Sequence, residues 1–113
     1  MDWSLKMKTI TVNINKICIG AIEYKDRNCL SGFIAKGLNI PTYCKDSSGN
    51  YIGICETLNI TRKELQSIIN YNDSCHNFED SLKNGHEIGS TIWKKNVRKL
   101  FKDIGLSVRF VTK

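Results

Sequence analysis

Between Met7 and Ala21 the chain reads MKTITVNINKICIGA, and Ile10, Val12 and Ile14 alternate with Thr11, Asn13 and Asn15. Apolar side chains at every second position line one face of a strand, so a half-buried β-strand is predicted here. Ile17 and Ile19 fall on the other parity, which implies a bulge or bend near Lys16, and Gly20 suits a turn. Tyr24 to Asn28 is polar and turn-like. From Cys29 to Leu38 the spacing changes. Leu30, Phe33, Ile34 and Leu38 recur at helical intervals, Gly32 weakens the helix, Gly37 is placed to cap it, and Pro41 stops it.

Lys45 to Asn50 (KDSSGN) is a dense cluster of turn residues between Thr42-Tyr43-Cys44 and Tyr51 to Cys55, and a β-hairpin is expected there. Thr61 followed by Glu64 makes a capping box, and Leu65, Ile68 and Ile69 continue it as a helix from Arg62 to Tyr71. Asn70 to Ser74 (NYNDS) is expected to break that helix, with Asn72 and Asp73 bonded to their own local backbone and capping the next segment. Phe78 and Leu82 mark a short helix from about Asn77 to Asn84, closed by Gly85. Ser90 or Thr91 starts the last helix, which runs to Asp103 with Trp93, Val97, Leu100, Phe101 and Ile104 as its apolar stripe. Gly105 ends it. Leu106, Val108 and Phe110 then alternate with Ser107, Arg109 and Val111 as a final strand. The expected fold is α+β: a single small domain over residues 1–113, with residues 1–6 a flexible tail. Its antiparallel sheet includes the N- and C-terminal strands and is packed on one face by three or four short helices. Arg109 then lies on the sheet face opposite Val108 and Phe110.

The 113 residues carry 17 Lys and Arg against 11 Asp and Glu, a net charge of +6. A hydrophobic fraction of 41% excludes a wholly disordered chain, and no apolar run approaches a membrane span. A secretory signal is not expected either, because no apolar stretch follows the N-terminal lysines. The charge is concentrated late: Lys94, Lys95, Arg98, Lys99, Lys102, Arg109 and Lys113 face one acid, Asp103, over the last twenty residues. Cysteines stand at 18, 29, 44, 55 and 75 with no Cys-x-x-Cys pair, so free thiols and a cytoplasmic setting are expected.

The basic side of the last helix is the leading candidate site. Lys94, Arg98 and Lys102 follow i, i+4, i+8, a row that suits a phosphate backbone, with Lys95 and Lys99 beside it. Arg27 and Arg109 form a second candidate, an anionic nucleotide pocket, because arginine's planar fork suits phosphate. Catalysis by Cys75 with His76 is not expected, since sequence neighbours do not face each other, and no cofactor is implied. Nor does the spacing of Cys75, His76 and His86 match a common metal site. No catalytic residue is assigned.

Arg27-Asn28-Cys29-Leu30-Ser31-Gly32-Phe33, then Asn72-Asp73, then Phe78-Glu79, then Leu100-Phe101-Lys102-Asp103-Ile104-Gly105-Leu106-Ser107-Val108-Arg109-Phe110 form an ordered set. In that order the chain resembles a loose group of small phage and prophage accessory proteins. Ser31 before Gly32 and Cys75-His76-Asn77 before Phe78 depart from the group's pattern. The group carries no agreed catalytic residues. The resemblance implies a virus or mobile element in a bacterial host. It also implies an anti-CRISPR-like binding protein that blocks a host defence complex or sequesters its nucleotide signal. A protein of charge +6 is not expected to mimic DNA. The alternative is a nucleic-acid-binding or regulatory protein using the C-terminal helix. A homodimer through the edge of the final strand is a further expectation.

Overall fold

The computed structural model describes residues 8–18, 23–24, 27–40, 47–75 and 86–113. In chain order these form β1 (Lys8–Asn13), a 3-10 turn (Ile14–Lys16), β2 (Glu23–Tyr24), β3 (Arg27–Asn28), α1 (Leu30–Gly37), α2 (Ser47–Leu58), α3 (Arg62–Ser74), α4 (Thr91–Asp103) and β4 (Leu106–Val111). Helices and a sheet share the fold, in keeping with the α+β expectation.

β1 and β4 pair in a two-stranded sheet, and they are parallel, from Lys8 opposite Leu106 to Asn13 opposite Val111. This corrects the expected antiparallel sheet. Alternation tells which side chains share a face; it says nothing about the direction of the neighbouring strand. Direction follows from the connection. Parallel strands need a long crossover, and here all four described helices lie between β1 and β4 in the chain. The register matches like with like: Ile10 faces Val108 and Val12 faces Phe110. On the other face Thr9, Thr11 and Arg109 are exposed, and the Thr9 and Ser107 hydroxyls bond at 2.8 Å. Arg109 does lie away from Val108 and Phe110. The parity change after β1 comes from the 3-10 turn, which Asn13 Oδ1 caps by accepting from the Asn15 N–H at 3.1 Å. The turn expected from Tyr24 to Asn28 is bounded by an antiparallel pairing, Tyr24 opposite Arg27.

α1 packs on β1. A Cβ at Gly37 would come 2.5 Å from Ile10 Cδ1, so glycine there gives the Ile10 side chain room, and any larger residue would make its terminal methyl shift. This revises the capping role expected of Gly37: the positive φ beyond the helix belongs to Asn39, at 61°. The expected hairpin around Lys45–Asn50 is overturned, because residues 47–58 are helix α2. Tyr51, Ile54, Cys55 and Leu58 are spaced i, i+3, i+4, i+7, and Ile54 is fully buried while Ile52 is 57% exposed. Serine and aspartate favour helix starts as well as turns, so a turn cluster can open a helix. Thr42-Tyr43-Cys44, the helix expected over Asn77–Asn84 and the expected tail 1–6 lie outside the described residues.

The capping box of α3 is present in both directions: Thr61 Oγ1 accepts from the Glu64 N–H at 3.1 Å, and Glu64 Oε1 accepts from the Thr61 N–H at 2.9 Å. The helix is not broken at Asn70; it continues to Ser74. Asn72 is buried and acts at long range rather than locally. Its Oδ1 accepts from the Leu30 N–H at 3.0 Å, and its Nδ2 donates to the Cys18 carbonyl at 3.2 Å. It thus caps α1, whose N-cap residue Cys29 makes no side-chain cap bond. Ser90 caps α4, accepting from the Trp93 N–H at 3.2 Å. Trp93, Val97, Phe101 and Ile104 are buried as the stripe predicts, and the Trp93 ring sits 5.4 Å from that of Phe110. α4 therefore covers the apolar face of the sheet. Gly105, at φ 85°, turns the chain into β4.

Candidate functional site

Packing of the Trp93 stripe turns the opposite side of α4 to solvent. Lys95, Arg98, Lys99 and Lys102 are exposed there, whereas Lys94 is half-buried. The row of cations therefore differs from the expected one. At 100° per residue, Lys95, Lys99 and Lys102 lie at i, i+4, i+7 within a narrow sector, and Lys94 is rotated toward the buried side. Arg98 flanks the row with its guanidinium 5.2 Å from the Phe110 ring centroid, a cation–π contact that orients it. Among the described residues, no carboxylate is paired with any of these four. The three lysines span about 10 Å of helix axis, from a 1.5 Å rise per residue.

The other two expected residues do not join this face. Arg109 projects from the sheet face opposite the one α4 covers, and Arg27 is exposed on β3, in the other sheet. A cavity of about 180 Å³ lies between α3 and α4, lined by Glu64, Ser67, Leu100, Asp103 and Ile104. It presents two carboxylates, which repel an anionic ligand. Among the described residues, no three His, Cys, Asp or Glu side chains are placed to hold a metal ion. No helix among them is long and apolar enough to cross a membrane.

A polar cluster that the sequence pattern does not announce joins α3, residue 86 and α4. The Tyr71 hydroxyl and His86 Nδ1 are 3.0 Å apart, Asn96 Nδ2 donates to the Tyr71 oxygen at 3.2 Å, and Asn96 Nδ2 lies 3.4 Å from His86 Nδ1. The consistent assignment has Tyr71 donating to an unprotonated Nδ1, which leaves the imidazole proton on Nε2. Burial raises the Tyr71 hydroxyl's pKa above the usual 10.0, outweighing the Asn96 hydrogen bond that lowers it. Separations of 15 and 10 residues carry no periodic signal, so nothing local could have revealed these three residues as neighbours.

Cys75, next to it, is fully buried, and its thiol donates to the Tyr71 carbonyl at 3.0 Å. Burial pushes this thiol above its usual 9.0, against hydrogen bonds involving Tyr71, the His86 backbone, Trp93 and Ser74. A buried, protonated thiol is the reverse of an activated nucleophile. His76 lies outside the described residues. Cys29 is likewise buried, 3.1 Å from the Ser31 hydroxyl, and burial raises its pKa. Comparison of the chain with protein-family models, curated proteins and solved structures finds no match.

Proposed function

We propose that this is a small, non-enzymatic binding protein that lays the basic face of α4 along the phosphate backbone of a nucleic acid. The observation that carries the reading is the grouping of Lys95, Lys99 and Lys102, flanked by Arg98, in one exposed sector about 100° wide. Four cations on a rigid helix, with no carboxylate partner among the described residues, match the regular spacing of phosphates and need no base-specific contact. The resemblance to phage accessory proteins supports a role for such a surface: obstructing a host defence complex by covering the nucleic acid it holds. The buried thiol of Cys75 supports binding over cysteine catalysis. A nucleotide-sequestering pocket has less support, since Arg27 and Arg109 stand on different sheets and the α3–α4 cavity is acidic.

The test is a titration of fluorescent duplex and single-stranded oligonucleotides with the protein, followed by anisotropy at several salt concentrations. Binding that weakens steeply with salt, and that is lost when Lys95, Lys99 and Lys102 are neutralised together, is expected. Flat titrations with both nucleic acids would overturn the reading.

A further inference from the structure

Among the described residues the sheet of β1 and β4 has two strands. Among the described residues β4 pairs only with β1, so its outer edge has no hydrogen-bonding neighbour there. Open edges recruit other strands, and proteins blunt them with proline, bulges or charged side chains, lysine above all. β4 reads Leu-Ser-Val-Arg-Phe-Val; it has no proline and no lysine, and its single charged side chain, Arg109, lies on the face away from Val108 and Phe110. A parallel sheet is also normally extended and covered on both sides. Burial distinguishes the two strands. Ile10 and Val12 on β1 are fully buried, yet Val108 and Phe110, on the same face, are only half-buried. The apolar surface still open is therefore on β4.

We infer that β4 pairs antiparallel with β4 of a second copy, about a two-fold axis at Val108, to make a four-stranded sheet β1-β4-β4-β1. The strand's own sequence selects this arrangement. With Val108 opposite Val108, Phe110 of each copy lies opposite Leu106 of the other on the apolar face; Leu106 is already buried in its own chain, so the surface newly covered is that of Val108 and Phe110. Ser107 meets Arg109 on the open face, twice by symmetry. An axis at Arg109 sets two arginines directly opposite, and like charges so placed are destabilising. An axis at Ser107 runs the pairing into the Gly105 turn. A slip of one residue puts apolar side chains against polar ones. Self-complementarity of this kind is what an isologous contact requires, and it identifies the occupant of the edge as another copy of the same chain. Both α4 helices then lie on the same side of the joined sheet.

The test measures the mass of the full chain by sedimentation velocity, with Ser107→Glu and Ser107→Lys beside the wild type and no nucleic acid present. Both variants lose the Thr9–Ser107 hydroxyl bond, so that loss cancels from the comparison between them. The wild type is expected to dimerise. The carboxylate introduced by S107E faces Arg109 of the other copy and tightens the dimer; the ammonium introduced by S107K faces the same arginine and loosens it. The two dissociation constants should differ by roughly tenfold, which is ~1.4 kcal/mol. A monomer at concentrations up to about 100 µM, or equal dissociation constants for the two variants, overturns the inference. The result is independent of whether α4 binds nucleic acid.

Discussion

Neutralising Lys95, Lys99 and Lys102 together to glutamine separates a working phosphate surface from a face that is charged only for solubility. Along a duplex, one strand places a phosphate every ~3.4 Å of axis, so the ~10 Å spanned by the row meets three or four phosphates. If each of the four exposed cations displaces one counterion, the logarithm of the affinity falls with the logarithm of the salt concentration at a slope of about −3.6. Between ~50 and ~200 mM salt that is roughly a 150-fold loss of affinity. The triple variant keeps only Arg98, held over Phe110, and its slope drops to about −0.9, a loss of only ~3- to 4-fold over the same range. Anisotropy of a labelled duplex of roughly 20 base pairs reads both slopes. The three lysines are exposed, so the folding stability of the variant should stay within about 0.5 kcal/mol of wild type by thermal melting. A triple variant that binds with the wild-type slope refutes the assignment of the surface, and a salt-insensitive wild type refutes phosphate binding altogether.

The packing sets three further outcomes. Asn72→Ala leaves the Leu30 N–H and the Cys18 carbonyl without their partner and should cost about 2–4 kcal/mol by denaturant unfolding; a loss below ~0.5 kcal/mol would show that this bridge contributes little. Thr61→Ala removes half of the capping box and should cost about 1 kcal/mol in the same assay, with α3 helicity by circular dichroism as a second readout. The Cys75 and Cys29 thiols and the Tyr71 hydroxyl are all raised in the folded protein, so their neutral forms favour folding. That contribution is complete below the ordinary thiol value of 9.0 and fades as pH climbs past it toward the raised folded values. Stability measured from neutral to strongly alkaline pH should therefore decline above about 9, and the decline should shrink in Cys75→Ala relative to its own neutral-pH stability.

Much of the architecture was legible in the residues. The capping box at Thr61, the Trp93 stripe with its Ser90 cap, and the two alternating strands arise from local periods and local hydrogen-bond chemistry, which need no distant partner. The location of the cationic face on α4 was legible for the same reason: a helix that buries Trp93, Val97 and Phe101 must turn the residues between them outward. Its exact row was not. Lys94 and Lys95 both fit the spacing, and the choice depends on how far the helix is rotated against the sheet, which Trp93 and Phe110 decide by packing. α2 was misread because Ser, Asp, Gly and Asn punctuate helices and turns alike, and the burial of Ile54 against the core resolved the ambiguity.

Periodicity is a property of neighbouring residues, so the amphipathic pieces of this chain and the faces they must bury are written in it locally. Which pieces meet was decided only by the packed molecule. The parallel direction of β1 and β4, the long-range cap that Asn72 supplies to α1, and the meeting of Tyr71, His86 and Asn96 each join residues far apart in the chain. Apolar faces attract without direction, so a local pattern can specify that a surface is buried but not against which partner, and that choice is settled only when all the faces are packed at once.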